Sequence, residues 1–184
     1  MPATLRTSRA RWLDAGLAAL AAGGPGAVRV EPLATALGVS KGGFYGQFAD
    51  RPAFLDALLE EWERRSIDHV LAQVEEAGGD ARERILHAGR LTFAPELLPT
   101  DLAVRAWART DGNAAAALRR VDDRRLAFLR AQFAAITPDP DEQEARSMLA
   151  FTLAIGQHFM AAGAADDRRR AVDLAAAFVV ADLP

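Results

Sequence analysis

Lys41, the only lysine in the 184-residue chain, falls in the run Leu33-Ala34-Thr35-Ala36-Leu37-Gly38-Val39-Ser40-Lys41-Gly42-Gly43-Phe44-Tyr45-Gly46-Gln47-Phe48. An ammonium, a phenol and a carboxamide presented together by a short helix can bond phosphate oxygens and base edges, which is the chemistry of duplex recognition in the major groove. The spacing supports that use. Ala34 allows a close helix crossing, Gly38 allows a sharp turn, and Val39 fills the corner. Phe44 and Phe48 supply an apolar inner side, leaving Lys41, Tyr45 and Gln47 outward. A hairpin buried in a bundle core has no use for those three polar groups beside two glycines.

The elements that must position these residues read as helices throughout. From Ser8, a good N-cap, an apolar stripe runs through Trp12, Leu13, Gly16, Leu17 and Leu20 until Gly23-Gly24-Pro25-Gly26. A second helix begins near Glu31-Pro32, and Ser40 is placed to cap a third that runs to Phe48. Asp50 is an N-cap and Pro52 a first-turn residue for a rod of about 25 residues, which ends at Gly78-Gly79. Further segments are expected near 80–93, 100–110, 113–136, 141–163 and 167–181. Breaks at Pro95, Pro99, Asp111-Gly112, Pro138-Asp139-Pro140 and Gly163 separate them. No strand-like alternation is present. The expected fold is all-α, with about nine helices: a three-helix helix-turn-helix domain at 1–52, a connecting helix at 53–77, and a second helical domain at 78–184.

Charge is uneven along the chain. The net value is −3, yet residues 1–51 hold six basic and three acidic side chains, against 16 and 22 in the remainder. A basic end on an acidic body favours one orientation toward phosphates. No cysteine is present, so thiol chemistry and disulfides are excluded. No apolar run reaches the roughly 18 residues that cross a bilayer, and no signal peptide is recognisable, so a cytoplasmic location without membrane partners is expected. His69, His87 and His158 are far apart in sequence and match no metal-ligand or phosphate-loop motif. No catalytic residue, metal or cofactor is expected. A helical enzyme and a protein-binding helical module are the alternatives to a DNA-binding regulator.

With these residues in view, the first 55 positions resemble the DNA-binding domain of the tetracycline-repressor (TetR) family of bacterial transcription regulators. The resemblance rests on Trp12-Leu13-Asp14-Ala15 and on Leu33-Ala34, Gly38-Val39-Ser40-Lys41-Gly42, Phe44-Tyr45, Phe48, Arg51 and Leu55. It implies that Lys41 contacts a base edge or phosphate, that Tyr45 bonds a phosphate oxygen, and that Arg51 grips the backbone. Arg29 stands where threonine is frequent and would add a phosphate contact, and Gln47 could pair with adenine. Ser40, Gly42 and Gly43 complete the expected DNA-binding set. Gly43 replaces the family's usual threonine or serine, so a hydroxyl contact is missing. Gly46 replaces a larger base-facing residue.

The family architecture also implies that 78–184 is a ligand-binding and dimerisation domain, with a homodimer on a palindromic operator and release by a small-molecule effector. Leu149, Leu153, Gly156 and Met160 form one candidate interface stripe, and Val172, Ala175, Ala176 and Val179 a second. Leu174 and Phe178 are left as candidates for the monomer core. The apolar candidates for an effector pocket are Trp62, Leu91, Phe93, Trp107, Phe128 and Phe151, with His87 as the polar handle.

Overall fold

The computed structural model describes residues 8–161 and 165–181. Among these residues there is no strand, and every regular element is helical. The chain is all-α. Its elements are α1 (Arg9–Ala27), α2 (Val30–Leu37), α3 (Lys41–Tyr45), α4 (Arg51–Glu63), a π-helical segment (Arg64–His69), α5 (Val70–Ala77), α6 (Ala81–Thr92), α7 (Leu98–Trp107), α8 (Gly112–Phe133), α9 (Pro140–Gly156) and α10 (Ala165–Val180). The run from Arg51 to Ala77 is continuous, so the described residues make nine rods. None is long and apolar enough to cross a membrane.

Capping and punctuation explain most boundaries. Ser8 accepts a bond from the Arg11 amide, Asp50 from Ala53, and Asp80 and Glu83 form a reciprocal capping box. α1 buries Trp12, Leu13, Gly16, Leu17 and Leu20, the stripe read from sequence. Its helical geometry fails at Gly23 and at Gly24, whose φ of 68° suits glycine, and one further turn follows before Val28. Pro99 and Pro140 lie in the first turns of α7 and α9, where a missing amide hydrogen costs nothing; the break expected at Pro99 therefore falls earlier. The break expected at Gly163 lies outside the described residues.

The third helix is shorter than expected. It ends at Tyr45, and Gly46-Gln47 form a turn in which the Gln47 and Phe48 amides both donate to the Phe44 carbonyl. Ser40 precedes it in extended geometry without a side-chain capping bond. Three glycines in six residues leave little propensity to carry the helix further.

Two compact units emerge. One comprises Met1–Asp68 with Pro95–Arg120, the other His69–Ala94 with Val121–Pro184. In the first, α1 packs most extensively on α7 and also meets α2 and α4. In the second, α9 packs on α10 and α5 on α6, around Ile85, Leu129, Phe133 and Val180. Two arginines fasten the end of α10 there. Arg146 donates to the Val179 and Ala181 carbonyls at 2.9 and 2.6 Å, and Arg82 donates to Val180 at 2.8 Å. These bonds satisfy carbonyls that a helix end leaves open and set positive charge at its negative pole.

Leu174 and Phe178 depart from the sequence reading. Rather than joining the monomer core, they are 57% and 67% exposed. The stripe of Val172, Ala175, Ala176 and Val179 is half-buried, and Val179 packs against the core of its own unit.

Candidate nucleic-acid interface

The helix-turn-helix is built on one aromatic ring. Phe44 is fully buried, with its centroid 5.4 Å from Trp12, 5.3 Å from Phe48 and 5.3 Å from Phe54; the Trp12 and Phe54 contacts are edge-on. Such pairs add about 0.5–1.5 kcal/mol each beyond the area they bury. Phe44 thereby fixes α3 against α1 and α4. The turn before it closes at Gly38 with φ 68° and ψ 33°. The Gly38 amide donates to Thr35, and that of Val39 to Ala34.

With Phe44 pointing inward, its sequence neighbours point outward. Tyr45 is 61% exposed while its ring stands edge-on to Phe44, so the phenol is carried on a rigid base. Lys41, Gly42, Gly43 and Ser40 are exposed, as is Arg29, while Gln47 is half-buried. The structure therefore brings Lys41 and Tyr45 to one short exposed element.

Two side chains at this site have partners that the sequence did not reveal. Lys41 forms an ion pair with Glu31 of α2, both partners being well exposed. The hydrogen bond from Lys41 and then its charge hold the Glu31 carboxyl below the usual range, with a smaller effect of the Arg29 charge. Arg51 donates through Nε to the Val28 carbonyl at 2.8 Å and through Nη2 to Pro25. Its guanidinium thus braces the turn between α1 and α2, and the residue as a whole is half-buried.

Arg9 joins the same neighbourhood. Its guanidinium lies 4.6 Å above the Phe48 ring and donates to the Gln47 carbonyl at 3.4 Å. Only the overall basic excess of the N-terminal segment hinted at it. A second ionic network steadies the unit: Arg64 and Arg65 both bond Glu61, and Arg65 reaches Asp14 of α1. The bond from Arg64, aided by Arg65 against the effect of burial, brings Glu61 down to about 2.

The residues expected to line an effector pocket fall in both units. Trp62 and Trp107 are buried in the first; His87, Leu91, Phe93, Phe128 and Phe151 are half-buried in the second. Phe128 and Phe151 pack against the apolar cluster of their unit. Phe93 stacks on His158 at 5.4 Å, and the guanidinium of buried Arg125 lies 5.9 Å from the same ring. His158 and Arg125 gave no sequence signal, since 32 to 65 positions separate them from Phe93. In the first unit an open groove of about 680 Å³ is lined by the end of α1 and by α7, including Pro25, Leu98, Leu102 and Trp107.

Comparison with known proteins agrees with this geometry. Residues 13–58 match the family model described as bacterial regulatory proteins, tetR family. No curated protein matches the chain. Among solved structures, one described as a TetR-family transcriptional regulator from Rhodococcus sp. is 23% identical, with a TM-score of 0.65, covering 94% of this chain and 100% of that one. A transcriptional regulator from Saccharomonospora viridis, solved in complex with choline, is 22% identical with a TM-score of 0.72, covering 90% and 93%. The fatty acid degradation regulator FadR from Bacillus halodurans is 17% identical with a TM-score of 0.62, covering 96% and 100%. Residues 13–58 thus carry the match to the tetR family of bacterial regulatory proteins, and the chain as a whole shares the fold of these solved structures.

Proposed function

We propose that this chain is a ligand-responsive transcriptional repressor that binds a palindromic operator as a homodimer and leaves it when a small, largely apolar molecule binds. The observation that carries the reading is the exposed pair Lys41 and Tyr45 on an element whose other face, Phe44, is locked into the core. A rigid short helix with polar groups outward suits the major groove. Arg29 and Arg9 would add phosphate contacts at its margins. Arg51 would contribute chiefly by holding the turn from which Arg29 projects.

Dimerisation would pair the two recognition elements with the spacing of two half-sites. Support comes from α9 and α10, which expose Met148, Leu149, Leu174 and Phe178, with Phe159 and Met160 following α9. An apolar surface of that kind, where no described helix is long and apolar enough to cross a membrane, is suited to a second copy. The effector would occupy the second unit, near Phe93, His87 and Leu91, and act on the helix-turn-helix head, α1 to α4, through the continuous helical run 51–77. Effector and operator would then each weaken the other's binding by the same factor.

The test begins with capture of genomic fragments by the purified protein, followed by titration of the recovered duplex. Lys41→Ala and Tyr45→Phe should each weaken binding by about 1 kcal/mol, roughly fivefold, with fold and dimer unchanged. Failure to retain any duplex at low salt without effector rules the reading out.

A further inference from the structure

The pairing of Lys41 with Glu31 places a carboxylate on the surface that is meant to meet phosphates. Glu31 stands in the first turn of α2, where an acidic residue also suits the helix dipole. That account explains an acid at this position but not its reach across to α3. The two residues are ten positions apart and on different helices, yet the carboxylate takes the hydrogen bond of the chain's only lysine. Arg51 is meanwhile turned onto the Val28 and Pro25 carbonyls, and Lys41 is the one cationic side chain of α3 itself.

We propose that Glu31 is an affinity-limiting residue: it competes with DNA phosphates for the Lys41 ammonium and so holds sequence-independent binding down. The proposal rests on the reading of α3 as the duplex-facing element. A solvent-exposed ion pair is weak enough for a phosphate to displace, and the displaced carboxylate then lies beside the backbone it opposes. Each non-specific encounter therefore yields less counterion release than Lys41 alone would give. Since non-specific binding consists almost wholly of phosphate contacts, this restraint acts on it most strongly.

The experiment measures binding to a mixed-sequence duplex by fluorescence anisotropy across a salt series, for the parent, Glu31→Gln, Lys41→Met and the double variant. Glu31→Gln should bind more tightly, with log K against log salt steeper by about 0.9. Lowering salt from about 200 to about 50 mM should then favour it over the parent by a further threefold or so. In the Lys41→Met background most of that gain should vanish, because the competition is for Lys41. Equal or weaker binding by Glu31→Gln, confirmed with Glu31→Ala and with unchanged thermal unfolding, overturns the proposal. A gain undiminished in the Lys41→Met background overturns it too. A parent chain that ignores duplex at low salt removes both this proposal and the reading beneath it; a parent that binds while Glu31→Gln gains nothing removes this one alone.

Discussion

One substitution, glycine to alanine, should have opposite effects at two positions of the head. At Gly16 the added methyl would sit 2.6 Å from Cζ of Phe54 and 2.7 and 3.0 Å from the two Cδ atoms of Leu58. Both neighbours are fully buried, and the Phe54 ring is wedged against Phe44 and Phe48 at 5.3 and 4.6 Å. They have nowhere to retreat. Overpacking of this kind costs about 1–3 kcal/mol, against roughly 1 kcal/mol of helix propensity gained, so Gly16→Ala should destabilise the head by up to ~2 kcal/mol. At Gly43 the new Cβ meets only Val39, at 3.8 and 3.9 Å, an ordinary contact. Nothing offsets the propensity there, and Gly43→Ala should stabilise by about 0.5–1 kcal/mol. Trp12, Trp62 and Trp107 all lie buried in the first unit, so urea unfolding followed by tryptophan fluorescence reports on that unit. The variants' midpoints should move in opposite directions at equal m-value. A higher midpoint for Gly16→Ala, or a lower one for Gly43→Ala, would refute the packing argument.

Two more outcomes follow from the ionic network and the exposed helices. Because Glu61 titrates at about 2 in the folded chain against an ordinary 4.5, its contribution is complete above pH ~4.5 and is lost as pH falls toward 2. Glu61→Gln should therefore cost about 1–3 kcal/mol at neutral pH, discounted for the half-exposed Arg64, and nothing near pH 2, as acid-unfolding curves of the two proteins will show. If the chain pairs through α9 and α10 as proposed, Phe178→Glu should sediment as a monomer where the parent sediments as a dimer, with helix content intact, because Phe178 is 67% exposed in its own chain. A variant that still sediments as a dimer would move the interface elsewhere.

The features legible in sequence are those set by neighbours a few positions apart. The α1 stripe, the Gly38 turn and the Asp50 cap all depend on spacing of four residues or fewer. So does the inward Phe44 with its outward neighbours. Partnerships over longer separations left no such trace. Arg51 bonds carbonyls 23 and 26 positions away, Lys41 meets Glu31 across a turn, and Arg65 reaches Asp14 over 51 positions. Long polar side chains can reach several targets, and sequence does not say which is within range. Leu174 and Phe178 show a different failure. Apolar residues on more than one side of a helix do not say which of them packs inside its own chain.

The discontinuous first unit also constrains the order of events during biosynthesis. Its α1 surface is covered mainly by α7, which the ribosome delivers some seventy residues after α1 itself. Nascent α1 to α4 therefore emerge with an apolar flank still waiting for Val104 and Trp107, and the intervening α5 and α6 appear first. Truncating the gene after residue 68 would leave that flank permanently bare, so the shortest fragment able to fold a finished head must extend through α7.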